Sequence, residues 1–193
     1  MGLKTYPFAE IPAQAGQSGK YLTTNGSVPN WGSISAGGMT LLSTTTLSGT
    51  AITVSSINQS YNMLYGLIVN TRTSPNNYTL SMNANGDATL ADYFRPNGTA
   101  IAGTSSSTWD FGGGTVFNTA ATNENCVFFT IHNYSSTVGY KPTASQAAFY
   151  SSATQKDRRW CFGGIMTTSA ITSIQIASTQ SLTSGTFYLY GVK

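Results

Sequence analysis

One histidine, two cysteines and six acidic residues are the side chains here that could support acid–base, nucleophilic or metal chemistry. His132 lies in Thr-Ile-His-Asn-Tyr, where strand alternation with Phe129 and Ile131 predicts an ordinary solvent-side residue. The Gly-x-Ser-x-Gly motif of serine hydrolases is absent, and the few acids offer little for the paired carboxylates of glycoside hydrolysis. We therefore expect no enzyme, no catalytic residue and no cofactor. A small carbohydrate-active enzyme is the least favoured alternative.

The two cysteines, Cys126 and Cys161, have apolar neighbours in the sequence and no histidine or cysteine at a zinc-binding spacing. We predict no metal site and interpret both as buried free thiols. A disulfide between them stays open, because the sequence does not give the separation of their Cα atoms.

Charged residues make up 8% of the chain, against roughly 25% in an average soluble domain, and the formal net charge is +3. With 40% hydrophobic residues this composition predicts a folded chain. The one basic cluster, Lys156, Arg158 and Arg159, also contains Asp157 and is too small for much counterion release. We expect no nucleic-acid partner and interpret the cluster as solvated; a contact for phosphate or an anionic glycan is the alternative. The longest apolar run, residues 63–69, is too short for the ~20 residues of a membrane helix, which predicts no membrane insertion.

From Met39 onward, short runs rich in β-branched and aromatic residues alternate with turn residues. Many short strands without βαβ alternation predict an all-β antiparallel β-sandwich, jelly-roll-like, with a barrel as the alternative. Residues 144–150 could form a short helix inside a loop-like stretch over residues 141–157. We predict strands over residues 39–46, 50–57, 62–71, 77–83, 114–119, 126–134, 158–168, 171–178 and 185–192.

Two of these strands, over Leu64–Val69 and Phe187–Tyr190, are apolar on both faces. One face of each would meet the core, and the other would meet more protein. The pattern therefore indicates a contact between subunits.

Residues 1–35 differ from the rest, because prolines and glycines separate scattered large apolar residues. We predict an extended N-terminal arm here and a β-sandwich domain over residues 36–193. A free arm would be mobile, so its apolar side chains suggest that it is laid against a partner. The candidate anchoring residues are Tyr6, Phe8, Ile11, Tyr21 and Trp31.

Two stretches carry a resemblance to a known group. One is Gly-Lys-Tyr-Leu-Thr-Thr-Asn-Gly over residues 19–26, followed by Pro29 and Trp31; the other is Gly-Thr-Phe-Tyr-Leu-Tyr-Gly-Val over residues 185–192. Both resemble tailed-bacteriophage virion proteins. In that group the stretch like residues 19–26 is a linker into a β-sandwich of tail fibres, head fibres and decoration proteins, and residues 185–192 resemble the last strand of that sandwich. The chain departs from long fibres in having only about a dozen residues before Ala13, where the linker-like stretch that ends at Trp31 begins.

The resemblance implies a homotrimeric structural protein on the phage particle, assembled in the host cytoplasm. It would be a capsid decoration or short head-fibre protein, docked by its arm to the major capsid protein or to tail proteins. A tail fibre that binds a host surface glycan is the alternative. If the sandwich binds a glycan, Trp109, Asp110, Tyr134 and Tyr140 are the candidate lining residues, and packing in the core is the other interpretation of each.

Overall fold

The computed structural model describes residues 12–24, 28–33, 38–86, 90–94, 100–101, 108–113, 115–118 and 124–193. The chain divides into two compact units, residues 1–37 and 38–193. Throughout the described ranges the regular structure is β-strand, paired antiparallel. The all-β antiparallel β-sandwich is confirmed.

The N-terminal unit contains a β-hairpin of β1 (Lys20–Thr24) and β2 (Pro29–Ser33). Leu22 pairs with Trp31 across the hairpin, and the Trp31 indole Nε1 donates to the carbonyl of Pro12 at 3.1 Å. This part of the arm is therefore a folded hairpin rather than a single extended segment.

In the described ranges of the second unit, eleven strands form one hydrogen-bonded network. They are β3 (Met39–Thr46), β4 (Gly49–Val54), β5 (Met63–Thr73), β6 (Leu80–Ala84), β7 (Leu90–Phe94), β8 (Ala100–Ile101), β9 (Trp109–Asp110), β10 (Cys126–His132), β11 (Lys141–Tyr150), β12 (Lys156–Ile165) and β13 (Ile174–Val192).

The long strand β13 belongs to both layers of the sandwich. Residues 174–178 pair with β6, and residues 174–177 pair with β4, which Leu182 also contacts. Residues 182–192 pair with β5, and residues 186–192 pair with β3. The smaller layer therefore has the order β4-β13-β6-β9, and the larger one β3-β13-β5-β10-β11-β12-β7-β8. The register shifts where β13 passes from one layer to the other.

The core between the layers is aromatic. The Phe129 ring of β10 lies 5.5 Å from the Phe111 ring and 6.0 Å from the Phe187 ring of β13, centroid to centroid. Gly66 of β5 is the Cα partner of Phe129, and the ring occupies the space that a side chain at Gly66 would need. The buried side chains of β6 alternate with half-buried ones, as a strand with one core face requires.

A buried polar cluster of Thr71, Tyr78 and Asn125 lies inside this apolar core. The Asn125 amide Nδ2 donates to the carbonyl of Thr71 at 2.8 Å, and its Oδ1 accepts from the Thr71 backbone N–H at 3.0 Å and from the Thr71 hydroxyl at 2.7 Å. The Thr71 and Tyr78 hydroxyls are also hydrogen-bonded. Burial raises the pKa of Tyr78 to about 12, although the hydrogen bonds from Thr71 and Asn125 oppose the shift.

Four sequence predictions are wrong in detail. Residues 144–150 are not a helix, because they lie in β11, and residues 141–157 are mostly strand rather than loop. The strands predicted over 171–178 and 185–192 are one continuous strand. Of the strand predicted over 114–119, the described residues form a single bridge between Tyr78 and Phe117.

Candidate functional site

The outer surface of the larger layer is the most distinctive surface in the described part of the chain. Strand pleating sends every second side chain of each strand away from the core. Across the layer, one outward row runs from Leu41 through Tyr190 and Tyr65. The next row includes Tyr188, Leu67 and Phe128. We call these six residues the outer apolar face: Leu41, Tyr65, Leu67, Phe128, Tyr188 and Tyr190.

The rings on the outer apolar face pack against each other while their outer sides remain accessible. The Tyr65 ring lies 6.3 Å from the Phe128 ring and 6.1 Å from the Tyr190 ring, centroid to centroid. Leu41 is exposed, and the other five side chains are half-buried. Burial raises the pKa of Tyr65, and its neighbours Cys126 and Tyr190 add to the shift. This face is enriched in aromatic residues and carries no charged side chain. Both features are typical of the centre of a protein interface.

Four neighbouring strands of the larger layer, β3, β13, β5 and β10, carry the outer apolar face. The sequence predicts that the strands over Leu64–Val69 and Phe187–Tyr190 are apolar on both faces, which agrees with this arrangement. The structure places these two strands next to each other.

A groove borders the outer apolar face. It lies where the outward side chains of the larger layer become small. Val69, Cys126 and Ala148 are successive Cα partners on β5, β10 and β11, and Ala148 pairs with Arg158 of β12. Three adjoining hollows of about 470, 420 and 90 Å³ share Ala148 in their lining. Together they form one shallow groove that runs across the strands.

The walls of the groove combine aromatic and polar groups. On one side lie Gln146 and Trp160, which are Cα partners, and the Trp160 ring is 46% exposed. On the other side lie Tyr150 and Lys156, whose Nζ is 5.8 Å from the Tyr150 ring centroid. Arg158 and Glu124, both exposed, line the groove as well.

The four proposed glycan-binding residues do not come together as one surface site. Trp109 is fully buried and its Nε1 donates to the Ser145 hydroxyl at 2.9 Å, and Tyr134 is fully buried with its hydroxyl bonded to the carbonyl of Asn58. Asp110 is half-buried and its Oδ1 accepts from the Gly112 N–H at 2.8 Å. Tyr140 is 58% exposed in the loop before β11.

The anchoring candidates are only partly covered by the structure. Tyr6, Phe8 and Ile11 lie outside the described residues. Tyr21 is 50% exposed on β1, and Trp31 is half-buried on β2.

Both cysteines are free thiols, and they lie on opposite faces of the large layer. Cys126 is half-buried in the outward groove row, where burial raises its thiol pKa. Cys161 is buried on the core side, 3.7 Å from the carbonyl oxygen of Asp110. His132 is exposed at the end of β10. In the ranges that the structure covers, no three His, Cys, Asp or Glu side chains gather as a metal site would require.

The fold and these surfaces define an antiparallel β-sandwich protein with an uncharged aromatic outer face and a groove beside it. No protein-family model matches the sequence, and a search of curated proteins found no match. Among the described residues, no helix has the length and apolarity to span a membrane.

Proposed function

We propose that the chain is a structural protein of a tailed-bacteriophage particle, a capsid decoration or short head-fibre protein that assembles as a homotrimer on the virion surface. The outer apolar face is the observation that carries the proposal. A protein that acts by assembly needs a broad uncharged surface for its own copies, and the sequence resemblance to virion proteins points to the same role.

Within this proposal the occupant of the outer apolar face is another copy of the chain. An uncharged face gives a charged partner nothing to pair with, whereas a further copy brings an equally large apolar surface. Three arms that share one trimer would also raise the effective concentration of each arm at the particle, so that weak individual contacts hold together.

Replacing Leu67 by glutamate should convert the assembled wild-type protein to monomers, because each copy would have to bury a charge at the centre of the contact. The mass in solution, measured by light scattering after size-exclusion chromatography, reports the change. Val138→Glu is the matched control, because Val138 is 88% exposed in a loop and its replacement should leave the mass unchanged. A wild-type protein that is monomeric at high concentration would contradict self-assembly through this face.

Deleting residues 1–30 should abolish association with particles while the sandwich stays folded. The deletion removes the proposed anchoring side chains, except Trp31, and leaves every strand of the second unit in place. Co-sedimentation with particles measures association, and circular dichroism checks the fold. Association that survives the deletion would overturn the anchoring role.

Immunogold electron microscopy with an antibody against residues 36–193 tests the virion location directly. Gold over heads supports the decoration or head-fibre role, and gold confined to tail ends favours the alternative receptor-binding role, for which the groove is the relevant surface. Unlabelled particles would contradict both.

A further inference from the structure

The groove across β5, β10, β11 and β12 has a lining that differs in kind from the outer apolar face. Its floor is made of small side chains, Cys126 and Ala148, between taller rows. The floor is therefore open to a ligand that lies flat across the strands.

The lining of the groove places an aromatic ring next to an amide. Trp160 is the partly exposed indole ring, and its Cα partner Gln146 supplies an amide that both donates and accepts hydrogen bonds. A flat aromatic ring can stack on the C–H face of a sugar, and an amide beside it can form hydrogen bonds with the sugar's hydroxyls. This combination suits a carbohydrate ligand.

The charges determine which carbohydrate fits. Lys156 and Arg158 supply two positive charges to the lining, against the carboxylates of Glu124 and Asp157. Asp157, however, is already paired with Arg159, 2.8 Å away, and its Oδ1 accepts from the Arg158 backbone N–H. The two cations, Lys156 and Arg158, therefore outnumber the one remaining acid, Glu124. The planar Arg158 guanidinium can bind a carboxylate through two parallel hydrogen bonds.

We propose that this groove is a binding site for an oligosaccharide that carries a carboxylate, such as a uronic or sialic acid. Trp160 stacks on a sugar ring, Gln146 bonds its hydroxyls, and Arg158 with Lys156 binds the carboxylate. The site rests on the lining of the groove alone and holds whether the chain is placed on a phage head, on a tail or elsewhere.

The test is binding of the full chain to an array of oligosaccharides that contain uronic or sialic acids, each beside its carboxyl-esterified neutral form, followed by titration of the best ligand. We expect acidic members to bind and their neutral forms to bind about tenfold more weakly, a loss of ~1.4 kcal/mol. Arg158→Gln should reduce acidic binding to the neutral level, and Trp160→Ala should weaken both forms.

The controls are matched in type and place. Phe162→Ala removes a 53% exposed ring on the same strand, one outward position beyond Trp160. Lys193→Gln removes a positive charge just past the end of β13. Both should bind like the wild type. No binding to any acidic member, or binding that Arg158→Gln and Trp160→Ala leave unchanged, would overturn the site without bearing on the virion location.

Discussion

Replacing Gly66 by alanine is expected to lower the free energy of unfolding by about 3 kcal/mol, the upper part of the usual range for an overpacked core. The Phe129 ring covers Gly66 so closely that a methyl group there would overlap the ring. Phe129 cannot move aside easily, because the rings of Phe111 and Phe187 both pack against it. Denaturant unfolding followed by tryptophan fluorescence measures the loss.

Gly139→Ala is the control for this substitution, because nothing lies near the position where its methyl group would be. A second test is compensation: Phe129→Leu combined with Gly66→Ala should cost less than the two single changes added together, since the smaller side chain leaves room for the methyl group. A fully additive pair would show that the clash is not the cause.

Replacing Asn125 by alanine is expected to cost about 3 kcal/mol, because it removes hydrogen bonds to several buried groups at once. Asn125 bonds the Thr71 backbone N–H, carbonyl and hydroxyl, and Thr71 is fully buried. Thermal unfolding by calorimetry, at a pH well below the pKa of about 12 of Tyr78, measures the cost.

Asn62→Ala serves as the control, because Asn62 is exposed just before β5 and its hydrogen bonds to Val192 and Asn133 use the backbone. Its loss should change the free energy of unfolding by no more than about 0.5 kcal/mol. If Asn125→Ala were equally mild, the buried cluster would not stabilise the fold.

The sequence predicts several strands of the sandwich well. β3 runs over residues 39–46 as expected. The strand predicted over residues 77–83, where hydrophobic alternation is clear, contains β6 except for its last residue. The sequence pattern does not predict β11, because the core-facing positions of this strand include Lys141, Thr143 and Ser145, which are residues typical of a polar loop.

Lys141 shows how such a residue can face inward. It is fully buried, and its Nζ donates to the carbonyls of Gly139 and Thr167 at 2.8 Å each. Burial lowers its pKa. These partners come from loops on either side of the β11–β12 hairpin, and a sequence pattern carries no information about them.

The groove could not be predicted from the sequence for a related reason. Lys156 and Arg158 stand out as a basic cluster, but Gln146, Cys126 and Glu124 join them only through the pairing of β10, β11 and β12. Of the aromatic residues singled out from the sequence, Trp109 and Tyr134 are core residues and Tyr140 is exposed outside the groove. Pairing between strands brings the groove residues together, and the pattern of one strand does not tell which strand lies beside it.

The strand β13 has a consequence for how the domain folds. It is the last strand of the second unit, and it pairs with β3 and β4, the first two. The Gln175 side chain donates to the Thr53 hydroxyl, 122 residues away in the sequence. Contacts this distant require large loops to close before they contribute stability, which slows folding. Because the same strand completes both layers, neither layer can gain its full hydrogen bonding before the other. Folding of the sandwich should therefore be slow and all-or-none.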